Sequence, residues 1–149
     1  MQLWIDGDAC PKPIKDILFR TAIRTQTPLI IVSNHPLNTP SSIYIKRHQV
    51  GAGFDVADNH IVEAMEAGDL VITADIPLAD DVVTKGGWAL NPRGELYSTN
   101  NIKQLLAQRN LNETLRGGGM ISGGPAKFGP KEIQRFANSL DKFLAQKRS

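Results

Sequence analysis

Aspartates stand in three separate stretches of this 149-residue chain, as Asp6-Gly7-Asp8, as Asp55 with Asp58, and as Asp75. Two unit charges about 4 Å apart repel by about 4 kcal/mol at an effective dielectric of 20, so carboxylates that converge from such stretches need compensation. A divalent cation supplies it. With three His and one Cys in the whole chain, the donors are hard oxygens, which favour Mg²⁺ or Mn²⁺ over zinc. The other compensation is a raised pKa, which leaves one carboxyl group able to act as a general acid. Asp80 and Asp81 are candidate additional acids inside a helical stretch, with a solvated pair as the alternative.

Each of these residues also has a structural reading. Asp55 is placed to cap a helix, with Asp58 three residues on favouring the positive end of its dipole, and Asp75 before Ile76-Pro77 is placed to cap another. Capping explains Asp6-Gly7-Asp8 less well, because Gly7 lets the chain turn while its two neighbours face one region. Ser33-Asn34 is a turn former or a contact for a phosphate or a metal-bound water. Cys10, before Pro11 and among carboxylates, reads as a small buried thiol rather than a nucleophile. His35, His48 and His60 lack the spacing of a zinc helix and read as surface or hydrogen-bonding residues.

The elements that must position these groups follow from apolar periodicity. Leu3-Trp4-Ile5, Leu29 to Val32, Leu70 to Thr73 and Trp88 to Leu90 read as short buried strands, and Ile43-Tyr44-Ile45 as an edge strand or loop. Between them, Pro11 to Arg24, Val56 to Ala67 and Ile76 to Lys85 read as amphipathic helices, the last closed by Gly86-Gly87. Ile102 to Arg109 and Pro130 to about Gln146 are two further helices. Strands separated by helices predict a three-layer α/β/α sandwich with a mainly parallel sheet, formed by a single domain over residues 1–149. Ligands of such sheets lie outside the carboxyl ends of the strands, where Asp6 and Asp75 fall.

Composition removes several classes. One Cys forms no disulfide framework, no run of about 18 apolar residues exists for a membrane span, and Asp6 interrupts any leader-like start. A cytoplasmic location is expected. The net charge of +2 conceals a division: residues 1–81 hold 6 Lys/Arg against 11 Asp/Glu, and residues 82–149 hold 11 against 4. An acidic half suits cations and a basic half suits an anionic partner. Within the basic half, the Gly-rich loop at 117–124 is flanked by Arg116 and Lys127, and Lys131 and Arg135 follow. It lacks Walker spacing and reads either as a connector or as a backbone cradle for phosphates.

The motifs Asp6-Gly7-Asp8-Ala9-Cys10-Pro11, Thr73-Ala74-Asp75-Ile76-Pro77-Leu78-Ala79 and Gly124-Pro125-Ala126-Lys127-Phe128 resemble those of the YaiI/YqxD family of uncharacterised bacterial proteins. The resemblance runs along essentially the whole chain. That family is grouped with PIN-like domains, which include metal-dependent ribonucleases. The acidic segments Gly53 to Asp58 and Val71 to Leu78 are likewise similar to those of PIN and NYN nucleases. The resemblance implies a PIN-like fold in which Asp6 is the first-strand acid, Asp55 or Asp58 the helical acid and Asp75 the second strand-end acid. Cys10-Pro11 and the Gly-rich segment depart from a minimal PIN domain.

The expected function is a Mg²⁺- or Mn²⁺-dependent nuclease, a phosphodiesterase acting on RNA or another nucleic acid. Asp6, Asp8 and Asp75 are the expected metal ligands, and Asp6, Asp55, Asp58 and Asp75 the expected catalytic set. Ser33, Asn34, Arg116 and Lys127 are the expected substrate contacts. Two alternatives stand beside it. One is a haloacid-dehalogenase-like phosphatase with Asp6 as nucleophile, Asp8 as general acid and Ser33 on the phosphate. The other is a non-catalytic RNA- or protein-binding module on the same scaffold, with 9 Phe/Trp/Tyr giving no obvious platform for stacked bases.

Overall fold

The computed structural model describes residues 1–53, 55–117 and 129–148, with backbone alone at 109–117 and 148. Residues 118–124 of the Gly-rich loop and Lys127 lie outside the described residues, as does the side chain of Arg116, whereas Gly117 ends a helix. Five strands, β1 (Leu3–Asp6), β2 (Leu29–Ser33), β3 (Ile45–Gln49), β4 (Leu70–Ile72) and β5 (Trp88–Leu90), form one sheet. They alternate with α1 (Lys12–Thr25), α2 (Val56–Ala64) and α3 (Ile76–Thr84), and α4 (Thr99–Gly117) and α5 (Pro130–Arg148) follow.

Side chains alternate across each strand, and the two resulting faces build two cores. Leu3, Ile5, Leu29, Ile31, Leu70 and Ile72 pack with Ile14 and Leu18 of α1 and Phe136 and Leu140 of α5. Trp4, Ile30, Val32, Val71 and Ala89 pack with Ile61 of α2, Leu78 and Val82 of α3, and Ile102 of α4. The molecule is therefore a three-layer α/β/α sandwich. Every strand pair is parallel, in the order β3-β2-β1-β4-β5. The chain builds outward from β1 through β2 to β3 and then returns to add β4 on the other side of β1. That reversal opens a crevice at the carboxyl ends of β1 and β4.

Several boundaries differ from the sequence expectation, each for a local reason. The edge strand begins at Ile45, beyond the expected Ile43, and runs through Lys46-Arg47-His48-Gln49. An edge strand pairs on one side only, and charged residues there discourage pairing with other chains. The second helix stops at Ala64 instead of Ala67, since Met65 turns extended and buries its side chain. The fourth helix begins at Thr99, three residues before Ile102, because Ser98 and Asn101 cap it reciprocally. Asn101 N donates to Ser98 Oγ at 3.1 Å and Ser98 N to Asn101 Oδ1 at 2.8 Å. It also runs to Gly117, well past Arg109.

Candidate active site at the carboxyl edge

Asp6 ends β1, and its backbone carbonyl accepts from Cys10 N at 3.0 Å, so the chain turns at once into α1. Its Oδ1 accepts from Asp8 N at 3.0 Å and Ala9 N at 3.3 Å, which fixes the carboxylate at the mouth of the crevice. Burial raises its pKa, against the lowering effect of those two hydrogen bonds. Gly7 serves this turn through its lack of a side chain: a Cβ there would meet Leu37 Cδ1 at 2.5 Å and Ile31 Cγ2 at 2.6 Å. Close packing, rather than the φ freedom inferred from sequence, is what requires glycine here.

Asp8 ties this turn to the one after β2, its Oδ2 accepting from Asn34 N at 2.8 Å and its Oδ1 lying 3.3 Å from His35 Nδ1. Ser33 is buried and donates its hydroxyl to His35 O at 2.6 Å, so it shapes the turn. Asn34 Oδ1 is buried, with no hydrogen-bond partner among the described residues. An orphaned buried oxygen of this kind calls for a partner that supplies the missing interaction, a water or a cation.

Asp75 follows β4 and does cap α3, its Oδ1 accepting from Leu78 N at 2.9 Å. Asp55 precedes α2 with a left-handed backbone, φ 62°, and makes no capping side-chain bond. The capping explanation therefore holds for Asp75 and fails for Asp55. Asp58, half-buried in the first turn of α2, has its pKa pushed up to about 6, by burial first and then by Asp75, Asp6 and Asp55. Carboxylates from three chain segments thus act on one another.

Asp58 lies where three hollows meet. A cavity of about 390 Å³ is walled by Asp6, Asp58 and Asp75 together with Cys10, Thr73 and Arg93. A second, of about 250 Å³, joins Asp6 and Asp58 to Asp8, Asn34 and Asp55. A third, of about 190 Å³, adds Asp81 to Asp55, Asp58 and Asp75. Asp80 turns instead to α4, where Lys103 Nζ lies 2.7 Å from its carboxylate. The oxygen donors suit Mg²⁺ or Mn²⁺ chemically, although among the described residues no three His, Cys, Asp or Glu side chains already stand as one ligand set.

Sequence reasoning missed Arg93. It belongs to the Asn91-Pro92-Arg93-Gly94 turn directly after β5, and the position of that turn at a strand's carboxyl end was the available signal. Asn91 organises the turn, its Oδ1 accepting from Arg93 N at 2.7 Å while its Nδ2 donates to Tyr97 OH at 3.0 Å. Gly94 is held against α5, where a Cβ would meet the Arg135 backbone at 2.9 Å, and Ser139 Oγ donates to Gly94 O at 2.7 Å. The basic half of the chain thereby meets the acidic crevice. Sequence spacing also gave no sign of the contact between His48 Nδ1 and His60 Nε2, 3.1 Å apart, because it joins β3 to α2. Cys10 lines the main cavity with its thiol pushed up to about 12, chiefly by burial, so it is a neutral wall.

No helix among the described residues is long and apolar enough to cross a membrane. No solved structure matches the chain. The model of the YaiI/YqxD family, described as uncharacterised, matches residues 4–146. A UPF0178 protein of Maridesulfovibrio salexigens is 60% identical over 146 residues, covering 98% of this chain and 97% of that one. Those of Hahella chejuensis and Janthinobacterium sp. (strain Marseille) are 59% and 56% identical, over 98% and 100% of this chain and 97% and 99% of their own. A family match spanning nearly every residue, joined to relatives this similar from end to end, means that the chain belongs to the YaiI/YqxD family.

Proposed function

We propose that the protein is a divalent-metal-dependent phosphodiesterase acting on RNA or another nucleic acid, related to the PIN-like nucleases. The observation that carries this reading is the meeting of Asp6, Asp58 and Asp75, from three chain segments, around one cavity where the strand order reverses. Asp6, Asp8 and Asp75 would hold Mg²⁺ or Mn²⁺, with Asn34 Oδ1 as a neutral oxygen beside them. Bound there, the cation would polarise a phosphoryl group and lower the pKa of an attacking water.

Asp58, which shares the cavity with Asp6 and Asp75, would accept a proton from the attacking water at its carboxylate oxygen. Asp55, exposed at the rim, would help to orient that water. Lys131 and Arg135 on α5 would hold substrate phosphates without reading sequence, the role also expected of Arg116 and Lys127, whose side chains lie outside the described residues. Ser33 has its hydroxyl engaged with His35, which argues against its expected phosphate contact and against the dehalogenase-like phosphatase.

Cleavage of single-stranded RNA in Mn²⁺ tests the reading. Asp6→Asn and Asp75→Asn should abolish it, and Asp58→Asn should slow it by about 100-fold or more. Equal activity in the native protein and the Asp6 and Asp75 variants overturns it. The competing reading is a non-catalytic binding module on the same scaffold. Calorimetry separates the two: Mn²⁺ heat lost in Asp6→Asn supports the enzyme, and RNA binding without any Mn²⁺ heat supports the module.

A further inference from the structure

Side chains along β3 alternate between the two faces of the sheet. Ile45 joins the core shared with α1 and α5, so His48, three positions on, falls on the face that α2 covers. There it meets His60 of α2, with His48 Nδ1 3.1 Å from His60 Nε2 and the two rings at 80°. Buried Trp4 backs His48, their ring centroids 6.0 Å apart. Both imidazoles are partly exposed, and neither is among the walls of the three hollows around Asp58.

A hydrogen bond in which one ring donates accounts for the contact, and so does a shared ion. Two nitrogens each about 2.0–2.1 Å from one cation stand about 2.9–3.4 Å apart at angles of about 90–110°. The fold therefore already holds this pair at a chelating span. Burial, then His60 and Lys46, lower the His48 pKa, which keeps that ring neutral, as a ligand must be. Taking up an ion costs a neutral pair no proton: the donor ring shifts its hydrogen to its other nitrogen, and both facing nitrogens become ligands. Imidazole suits late first-row divalent ions, whereas the carboxylates of the crevice suit Mg²⁺ and Mn²⁺. Lys46, two residues before His48 on the same strand face, opposes a cation and limits the affinity.

The geometry points to a metal site separate from the acidic crevice, in which His48 and His60 chelate a late first-row divalent cation of the Zn²⁺, Ni²⁺ and Cu²⁺ class and tie edge strand β3 to α2. Among the described residues no third His, Cys, Asp or Glu completes a ligand group with them, so water fills the remaining positions. The site is independent of the phosphodiesterase reading, because imidazoles bind these ions whatever the carboxylates hold.

Zn²⁺ titrated into the full chain in excess Mg²⁺ tests it, since Mg²⁺ competes at carboxylate oxygens and poorly at imidazole. The chain has three His, so their ring proton resonances are few, and those of His48 and His60 should shift while those of His35 stay in place. By calorimetry, His48→Gln and His60→Gln should each weaken Zn²⁺ by about tenfold or more, and Lys46→Gln should tighten it. Cu²⁺ should quench Trp4 fluorescence in a Trp88→Phe background, and His60→Gln should abolish that quenching. Zn²⁺ affinity unchanged in both His variants, or ring shifts confined to His35, overturns the proposal and leaves a hydrogen-bonded pair. Should His48→Gln fail to fold, His60→Gln and the ring shifts of the native protein decide it. None of these readouts involves RNA cleavage, so the failure of this site leaves the phosphodiesterase standing, and loss of cleavage leaves this site standing.

Discussion

At neutral pH the Asp58 carboxylate is partly withdrawn from water and faces three others, so folding opposes its charge. It titrates near 3.8 when unperturbed and at about 6 in the fold. Between those values the native state binds more protons than the unfolded chain, and stability falls as pH rises through that window. Asp6 is shifted in the same direction. Asp58→Asn should therefore melt higher than the native protein at about pH 8, and the gain should disappear near pH 4. An unchanged difference across a melting series in pH would contradict the clustering. Gly7 is a second residue whose role is specific: Gly7→Ala should cost about 1–3 kcal/mol in denaturant titration through contact with Ile31 and Leu37. The sequence made Asp6, Asp58 and Asp75 visible because each adjoins a readable element. It could not reveal the orphaned Asn34 oxygen or the contact of His48 with His60, which depend on neighbours distant along the chain.

The elements were legible where apolar runs were short and bounded by turn residues, as at Leu70–Ile72 and Trp88–Leu90. They were less legible where side-chain hydrogen bonds set the boundary, as Ser98 and Asn101 do for α4. Strand order was beyond periodicity altogether, because nothing local says on which side of β1 the fourth strand inserts. That insertion is locked from the opposite edge by buried Asp69. Its carboxylate accepts from Gln2 N at 2.9 Å, Trp4 Nε1 at 3.0 Å and Glu66 N at 3.0 Å, joining the starts of β1 and β4. Asp69→Ala strands these donors and should destabilise the fold by about 3 kcal/mol or more, read by urea unfolding. A loss below about 0.5 kcal/mol would mean that water replaces the carboxylate at no cost.

At the scale of the whole molecule, the acidic half supplies the crevice and the basic half borders it through Gly94 and α5. RNA affinity should therefore fall with salt, and removing Lys131 and Arg135 together should reduce the log–log slope by about 1.4, at about 0.7 per single-strand phosphate contact. A slope that does not change would place the strand elsewhere. The acids make an opposite demand. A cation held only by the folded protein raises stability by about 2.7 kcal/mol at a hundredfold excess over its Kd, and Asp6→Asn should lose that gain in thermal melts. The most direct test is a crystal soaked in Mn²⁺ and measured at the manganese absorption edge. The account predicts an anomalous peak between the carboxylates of Asp6 and Asp75. Strong diffraction with no peak there, and the two side chains directed apart into solvent, would contradict it.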